Sequence, residues 1–493
     1  MRSERLPALL FGALLAALPV VIVSNSVADP DLWGHIRFGQ DTVRTGALSA
    51  WDPYSFTSDR PWVNHEWLAE VLMALSYRWA GTAGLLVLSC LCGVGAVLAA
   101  GTVLTRERVG RPARVALMAL AFFGLSSQLR TVRPQMFSAL LFALLLLVAL
   151  RSERHSNLSL LYVFPIFAFW ANVHGGWIVG LGVLGLWAGA AVVRRTISWR
   201  WAVTGVSLAL LGSLVTPYRT GLWAFLWTTV GLGRNDIEDW QPLFRSPSHL
   251  LPWLLVCTAA VVALWQGLRR AGLRTTVLLA LPVLALGLLT AKVYRLEGFF
   301  ALSAVMLLAP IYAGLGPREW PLSRLPTRRE IAVVGFVICA GLAVAFWAAL
   351  RTTACLPLMT NERSTPEPDA IRFIQANNLR GRLLTWFDYG EYAIWYVGPG
   401  LRVSYDGRRE TVYSDGVQKA HLRFYFSSAD AGYARAIRAD YVWLPRLLPV
   451  IPALERDHWT EIYRGPRSVI LARAPGDYID PGEWRGRRCF PGP

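Results

Sequence analysis

Three side chains that can exchange protons or bind a metal lie close together near the start of the chain. They are Asp29, Asp31 and His35, in the stretch ADPDLWGH that follows the first apolar run. A helix beginning near Asp29 or Pro30 would place Asp31 and His35 four residues apart on one face. Asp29 would then suit the N-cap of that helix, which is its plainer interpretation. Two acids and an imidazole at one edge are the residue types of a catalytic or metal-binding site.

Further charged residues lie in other polar segments that interrupt the apolar sequence. These residues are His65 and Glu66 in DRPWVNHEWLAE, Arg130 and Arg133 in LRTVRPQ, and Lys292 and Arg295 in AKVYRLEGFF. An ionisable group at the edge of a membrane is costly to hold, so each is a candidate for function. The alternative for any single one is a solvated or snorkelling residue at the end of a span. Lys292 is notable because the chain otherwise uses arginine almost everywhere.

Composition indicates the environment in which these residues act. The chain has 493 residues, 54% of them hydrophobic, with 22 tryptophans, which is typical of polytopic membrane proteins. The net charge of +17 comes from arginines in short connections between apolar runs rather than in one patch, which argues against a nucleic-acid partner. Neither a GxxxxGK[ST] loop nor a GxGxxG turn is present, so no nucleotide site is expected.

The apolar runs predict the topology. About eleven of them approach the length that crosses a bilayer. They lie near 6–27, 82–104, 112–128, 135–150, 158–172, 176–193, 201–216, 249–267, 275–291, 298–315 and 331–350. Arginines recur on alternate connections, which places the N-terminus in the cytoplasm and the C-terminus outside. The first run also resembles a cleavable signal peptide, an alternative that leaves residue 29 on the same side.

This topology divides the chain into two predicted domains. Residues 1–350 form a helical membrane domain that includes a first outer loop, 28–81, with two amphipathic interfacial helices. Residues 351–493 are more polar and alternate between helical and strand patterns, which predicts a small extracytoplasmic α/β domain. The predicted elements are helices 367–378 and 390–396, helices within 416–438, and strands 382–387, 402–405, 440–444, 460–464 and 468–473.

The cysteines are consistent with this division. Four of the six lie inside apolar runs, where a cysteine packs like a small apolar residue. Cys355 and Cys489 bracket the outer domain, in an oxidising compartment if the topology is right. We therefore expect a disulfide between them if the two ends meet.

The stretches DPDLWGHIRFGQ and DPYSFTSDRPWVNHEWLAEV, in a long outer loop behind the first span, resemble the GT-C superfamily of membrane glycosyltransferases. This class includes oligosaccharyltransferase catalytic subunits, protein O-mannosyltransferases, aminoarabinose transferases and uncharacterised bacterial relatives. The hydropathy layout resembles that of the superfamily across nearly the whole chain. Similarity of sequence motifs is confined to about residues 28–72 and 385–413. The resemblance implies a polyprenyl-phosphate-linked sugar donor and usually an inverting transfer. It also implies a lipid, glycan or protein acceptor, at the outer face of a bacterial cytoplasmic membrane.

The resemblance also implies roles for the charged residues. Asp31 matches the catalytic base, with Asp29 as the alternative, and His65 and Glu66 would face the same cavity. The cations expected to bind the donor phosphate are Arg130, Arg133, Lys292 and Arg295. Some members of the class require a divalent metal. Here Mn²⁺ or Mg²⁺ would be bound by residues among Asp29, Asp31, His35 and His65.

Two motifs near the C-terminus are candidates for acceptor binding. TWFDYGEY resembles the WWDYG motif of oligosaccharyltransferases, which implies acceptor contacts from Asp388 and Tyr389, although Phe387 departs from the pattern. The plainer alternative is a strand end followed by a helix start. In SYDGRRETVY, Arg408 would contact acceptor or donor, or else lie in a loop packed on the membrane domain, to which the first outer loop is assigned.

Two other functions remain open from the sequence. A transporter or flippase of lipid-linked glycans would carry charges near the bilayer midplane and internal repeats, neither of which the sequence shows. A non-catalytic relative would bind the glycan lipid without transferring its sugar.

Overall fold

The computed structural model describes residues 17–229, 240–313, 328–359 and 365–492. The chain forms two compact units. The first unit comprises Met1–Ser26 and Leu86–Arg351, and the second comprises Val27–Leu85 and Thr352–Pro493. The sequence predicts loop 28–81 as part of the membrane domain. The structure instead groups this loop with the C-terminal segment, because its polar residues pair with that segment.

The first unit is helical throughout its described residues. Its helices are residues 17–25, Arg111–Arg130, Gln135–Arg154, Val163–Trp170, Trp177–Val193, Trp199–Ser213, Thr220–Thr229, Pro247–Arg270, Leu273–Lys292, Glu297–Leu307, Ala309–Tyr312 and Arg328–Ala354. A further helix, Trp67–Arg106, begins in the second unit and ends in the first.

Within the described ranges, five helices are long and apolar enough to cross a membrane, fewer than the number of apolar runs in the sequence. They are Trp67–Arg106, Arg111–Arg130, Gln135–Arg154, Pro247–Arg270 and Leu273–Lys292. Several other predicted spans correspond to shorter helices. The run 158–172 begins as a 3-10 turn, Asn157–Tyr162, and the run 298–315 is interrupted at Leu308, ahead of Pro310. The first half of the run 6–27, residues 6–16, lies outside the described residues, and residues 17–25 of its second half are helical.

The second unit contains both loop helices that the sequence predicts. The first loop helix, Leu32–Thr45, ends at Gly46, whose φ of 65° is the left-handed conformation that glycine adopts readily at a helix end. The second loop helix, residues 67–79, is the start of Trp67–Arg106. It ends at a kink where Ala80 and Gly81 leave helical geometry. Apolar residues on one face of each helix pack into the unit.

The C-terminal part of the second unit is built around a five-stranded mixed sheet. Its strands are β2 (Gly381–Thr385), β3 (Leu401–Val403), β4 (Tyr441–Pro445), β5 (Thr460–Arg464) and β6 (Ser468–Ala472), and a separate pair is β1 (Leu356–Pro357) and β7 (Cys489–Phe490). The order in the sheet is β3-β2-β4-β6-β5. The first three of these pair in parallel, and β6 runs antiparallel to β4 and β5.

Helices connect and cover these strands. They are Pro368–Ala376, Gly390–Val397, Asp415–Phe426, Tyr433–Ala436 and Ile451–Arg456. Gly390–Val397 is the crossover between parallel strands β2 and β3, as parallel pairing requires. The sequence pattern anticipates all of these helices except Ile451–Arg456, whose six residues are too few to show a period.

The first loop also contributes backbone to the C-terminal part. Residues 54–56 lie along β3, where Val403 N–H donates to the Tyr54 carbonyl at 3.1 Å and Phe56 N–H to the Val403 carbonyl at 3.0 Å. Ala28 pairs in the same way with Leu358. The loop therefore covers the exposed edge of the sheet. Cys355, which precedes β1, and Cys489, the first residue of β7, are joined by a disulfide with their Cα atoms 5.3 Å apart.

Candidate active site in the first loop

The first loop helix begins directly after the predicted base. Asp31 is the N-cap residue, but its side chain makes no capping hydrogen bond. Asp29 is fully buried, and its backbone carbonyl accepts from Leu32 N–H at 3.2 Å. The N-cap interpretation of Asp29 is therefore wrong, because Asp31 occupies the N-cap position.

The carboxylate of Asp31 lies beside that of Glu391, at Gly407. A Cβ atom added to Gly407 would lie 2.7 Å from Glu391 Oε1 and would collide with Asp31 Oδ1. Glu391 is 3% exposed, and its Oε2 packs against Gly34 without accepting a hydrogen bond from the described residues. Two carboxyl groups thus share a small space that glycine leaves open.

The surroundings of Glu391 disfavour its ionised form. Burial raises the pKa of its carboxyl well above the ordinary value, and the neighbouring charges of Asp31 and Asp406 raise it further, while Arg408 opposes them. Glu391 therefore keeps its proton at a pH where an exposed glutamate is ionised. A protonated carboxyl beside Asp31 can donate a hydrogen bond to it, which leaves one negative charge for the pair.

Arg408 holds the two chain segments of this site together. Its Nη1 and Nη2 donate to Asp52 Oδ1 and Oδ2 at 2.6 and 2.9 Å, and its Nε and Nη2 donate to Asp406 Oδ1 and Oδ2 at 2.9 and 2.7 Å. Tyr413 adds a hydroxyl that donates to Asp406 Oδ2 at 2.7 Å. Burial alone would raise the pKa of Asp406, but the charge and hydrogen bonds of Arg408 lower it below its ordinary value.

Aromatic rings enclose the same guanidinium. Its Cζ lies 4.9, 5.2 and 5.0 Å from the ring centroids of Phe38, Tyr54 and Trp62. The predicted alternative of a packed loop residue therefore describes Arg408 in this structure. Its hydrogen-bonding edges are occupied by two aspartates, and the side chain presents no open surface to an acceptor.

His35 occupies the next turn of the first loop helix. Its Nδ1 lies 3.4 Å from Glu70 Oε1, and Asn64 Nδ2 donates to Glu70 Oε2 at 2.6 Å. Burial alone would lower the pKa of His35, but the bond to Glu70 and the charges of Glu66 and Asp31 raise it above its ordinary value. The structure thus brings Asp31, His35 and Glu66 into one electrostatic neighbourhood, on two helices.

The predicted phosphate ligands lie in two turns of the first unit. Arg295 Nη2 donates to Oε1 of Gln135 at 3.0 Å, and Gln135 lies two residues beyond Arg133 in the chain. Gln128 Nε2 donates to the Arg295 carbonyl at 3.0 Å. These bonds join the turn after helix Arg111–Arg130 to the turn after helix Leu273–Lys292. Arg130 and Lys292, the last residues of the two helices, are exposed.

A histidine–glutamate pair lies beside Arg295. His249 Nδ1 is 2.9 Å from Glu297 Oε2, and the His249 ring stacks on Tyr294 with centroids 4.1 Å apart. Glu297 is buried at the start of a helix whose other residues, apart from Ser303, are apolar or glycine. Neither His249 nor Glu297 was predicted as a site residue, although an acid ahead of the largely apolar GFFALSAVML stretch is a usable signal.

Solved structures with a similar fold are transferases of sugars. AglB, an archaeal oligosaccharyltransferase from Archaeoglobus fulgidus in complex with an inhibitory peptide and a dolichol-phosphate, aligns with a TM-score of 0.58 and 11% identity over 88% of this chain and 69% of that one. ArnT from Cupriavidus metallidurans bound to undecaprenyl phosphate aligns with a TM-score of 0.55 and 13% identity, over 95% of this chain and 98% of ArnT. The fold is that of the GT-C glycosyltransferases.

A third structure with the GT-C fold is larger than this chain. The arabinofuranosyltransferase AftD from Mycobacteria aligns with a TM-score of 0.53 and 15% identity, over 96% of this chain but 42% of AftD. No protein-family model matches the chain, and no curated protein is significantly similar to it in sequence. The likeness is therefore one of fold, at identities where side-chain roles do not transfer automatically.

The candidate metal ligands do not form a metal site among the described residues. Across the described ranges, no three His, Cys, Asp or Glu side chains are grouped closely enough to hold a metal ion. His35 is paired with Glu70, and His65 Nε2 lies 3.7 Å from Glu66 Oε1. The predicted set Asp29, Asp31, His35 and His65 therefore does not fit Mn²⁺ or Mg²⁺, and no chemical step is derived through a metal.

The motif that resembles WWDYG contributes mainly to the core. Tyr389 is fully buried against Trp443, with ring centroids 5.3 Å apart, and burial raises the pKa of its hydroxyl. Asp388 is half-buried in a 3-10 turn between β2 and the next helix. The residue of this motif that reaches the site is Glu391, two positions beyond Tyr389. The TWFDYGEY motif was thus a candidate, but Glu391 within it was not predicted as a site residue.

Proposed function

We propose that this protein is an integral-membrane glycosyltransferase that moves a sugar from a polyprenyl-phosphate-linked donor to an acceptor. The observation that carries the proposal is the Asp31–Glu391 carboxyl pair at Gly407, in a chain with the GT-C fold. The bound dolichol-phosphate of AglB and undecaprenyl phosphate of ArnT support a lipid phosphate as the donor carrier.

The proposed reaction needs one base. The acceptor oxygen or nitrogen attacks the anomeric carbon of the donor sugar, and Asp31 accepts the proton that the acceptor loses. The bond between the anomeric carbon and the phosphate oxygen breaks, and the phosphate leaves with the electron pair. A single displacement of this kind inverts the anomeric configuration. Protonated Glu391 is a positioning residue, because it can donate a hydrogen bond to the Asp31 carboxylate and fix its orientation.

The leaving polyprenyl phosphate gains negative charge that cations must balance. We assign this role to Arg130, Arg133, Lys292 and Arg295, of which Arg295 is oriented by Gln135. The proposed setting is the bacterial cytoplasmic membrane, with the N-terminus in the cytoplasm and residues 351–493 outside. Five membrane-capable helices in the described residues and the GT-C fold support a membrane location.

The experiment is sugar transfer in vesicles that contain the purified full chain and a panel of polyprenyl-phosphate sugars. Removing a general base typically lowers the rate about 10²- to 10⁴-fold, so Asp31→Asn should lose transfer to at least that extent. The matched control is Asp415→Asn, since Asp415 is an exposed acid that pairs with Lys419. The melting temperatures of both variants should stay close to that of the unmodified protein.

Three outcomes distinguish the candidate functions. Full activity of folded Asp31→Asn would exclude Asp31 as the base. Movement of the intact donor across the vesicle membrane without transfer would support the flippase alternative. Binding of the donor without transfer or movement would support a non-catalytic glycan-lipid binder.

A further inference from the structure

A groove of about 610 Å³ lies between the two loop helices, within the second unit. The helices touch where a Cβ atom on Gly39 would lie 2.9 Å from Ala74 Cβ and would collide with the Glu70 carbonyl. Beyond this contact the groove opens toward the C-terminal ends of both helices. Its lining residues are Gln40, Val43, Arg44, Ala74, Leu75, Tyr77, Arg78 and Gly81.

The lining combines an apolar floor with cationic sides. Val43, Ala74 and Leu75 supply the apolar surface, and each helix adds one arginine, Arg44 and Arg78. Positions 40, 43 and 44, and likewise 74, 75 and 78, are spaced to share a helix face. A ligand that matches this lining has an anionic group at one end and a hydrocarbon portion at the other.

The charge balance favours an anion. Arg44 Nη2 lies 3.0 Å from Asp41 Oδ1, but its side chain is 74% exposed, and Asp41 also accepts from Arg37 Nε at 2.9 Å. No side chain in the described part of the chain pairs with Arg78, which is exposed. The three arginines and one aspartate therefore leave a local excess of positive charge.

The position along the chain favours a membrane lipid. The kink at Ala80 and Gly81 ends the amphipathic segment, and the apolar residues of a predicted span follow it directly. Trp79, beside the kink, is 86% exposed, and tryptophan is enriched where helices meet the membrane–water interface. This setting is typical of the membrane–water interface, where lipid phosphates meet acyl chains.

We propose that this groove binds an anionic bilayer phospholipid, whose phosphate lies between Arg44 and Arg78 and whose first methylene groups lie on Val43, Ala74 and Leu75. This site is independent of the proposed sugar transfer, since none of its lining residues belongs to the carboxyl pair. Its role is to seat the first loop on the lipid surface.

The test is native mass spectrometry of the full chain released from nanodiscs of phosphatidylglycerol, phosphatidylcholine and diacylglycerol. Retained phosphatidylglycerol should fall about fivefold in Arg44→Gln and in Arg78→Gln, and further in the double variant, because an interfacial arginine contributes about 1 kcal/mol of attraction to anionic lipid. Arg78→Lys, which keeps the charge, should retain most of the binding. The exposed arginine of another helix, Arg423→Gln, is the matched control.

Each outcome decides the proposal. Loss of phosphatidylglycerol in the double variant, with the control unchanged, supports it. Equal retention by the double variant and the unmodified protein overturns it, and so does equal retention of diacylglycerol, which has no phosphate. Asp31→Asn should retain phosphatidylglycerol normally whether or not the protein is a transferase, so failure of this site and failure of the proposed function remain distinguishable.

Discussion

Glu391 occupies a position where a negative charge is unfavourable. Its pKa in the folded protein lies well above the usual value of 4.5, because burial, Asp31 and Asp406 all disfavour ionisation. Its effect on stability is therefore neutral at pH values below about 4.5 and increasingly unfavourable as the pH rises toward the folded-state pKa. Activity rather than stability is the plausible reason to keep an acid there.

Replacing Glu391 by glutamine should therefore stabilise the protein. Glu391→Gln is neutral at every pH, so it should melt at a higher temperature than the unmodified protein at pH 8, and the difference should shrink toward pH 4.5. Its rate of transfer should fall at the same time, because an amide N–H is a weaker hydrogen-bond donor to the Asp31 carboxylate than a carboxylic acid O–H and orients it less firmly. Tryptophan fluorescence during heating across this pH range measures the first effect, and the vesicle assay measures the second.

A second buried glutamate of the same unit is the control for this prediction. Glu367 Oε1 accepts hydrogen bonds from Ser468 N–H at 3.3 Å, Ser468 Oγ at 2.9 Å and Tyr463 Oη at 3.1 Å. Glu367→Gln weakens these bonds and should cost roughly 1–3 kcal/mol of unfolding free energy. If both substitutions shift the melting temperature in the same direction, the explanation for Glu391 is wrong.

Single residues of this site are visible in the sequence, but their partners are not. The cluster of Asp29, Asp31 and His35 is recognisable because acids and an imidazole rarely follow an apolar run. The pairing of Asp31 with Glu391 depends on how closely Gly34 and Gly407 each approach the Glu391 side chain in space. No local pattern encodes such a contact, which explains why Glu391 and Asp52 were not identified as site residues.

At the scale of elements, Arg408 links the segment after β3 to the loop between the two loop helices. Its removal in Arg408→Gln would leave Asp52 and Asp406 buried with uncompensated charge. Breaking a buried ion pair in this way typically costs about 3–5 kcal/mol, and we expect a loss of that size in unfolding free energy. The control Arg435→Gln removes an exposed pair with Asp457 and should cost no more than about 1 kcal/mol.

Chemical unfolding of the purified variants measures these losses. If Arg408→Gln does not fold, the triple replacement Asp52→Asn, Asp406→Asn and Arg408→Met should restore a folded protein, since it leaves no buried charge. An Arg408→Gln variant as stable as Arg435→Gln would contradict the assigned role.

The predictability of the elements differs between the two units. Strands β2, β4, β5 and β6 follow from short apolar runs bounded by polar residues, and they appear within a few residues of the predicted ranges. The order of the strands in the sheet could not be predicted from the sequence, because it depends on pairing between segments that are distant in the chain. In the first unit, apolar runs such as 298–315 resemble spans in composition, yet backbone breaks divide them into shorter helices.

At the scale of the whole chain, the disulfide between Cys355 and Cys489 closes a loop of 134 residues. Replacing both cysteines by serine should lower the unfolding free energy, by roughly 5 kcal/mol in the chain-entropy estimate for a loop of this length. The melting temperature under reducing and non-reducing conditions measures the effect. The control Cys257→Ser removes a free cysteine and should not respond to the reductant.

Two observations would contradict this prediction. One is the detection of two additional free thiols when the freshly isolated protein is alkylated. The other is a melting temperature of the unmodified protein that does not change on reduction.

Sequence reasoning reached the general architecture but not the grouping of segments. Hydropathy and arginine placement identify a polytopic membrane protein with a polar C-terminal region. The assignment of loop 28–81 to the second unit depends on Ala28, residues 54–56 and Asp52, each of which pairs with a residue more than 300 positions away. Such contacts are set by tertiary structure and leave no periodic signal.

The bonds of Arg408 also restrict how this sequence can change over evolutionary time. Asp52 lies 356 positions from Arg408 in the chain, yet neither can be replaced alone without leaving a charge inside the protein. Neutral drift one substitution at a time is therefore blocked at Asp52, Asp406 and Arg408. In homologous chains these three positions should change together or not at all. Their joint variation would therefore indicate that the first loop packs on the C-terminal segment in those proteins as well.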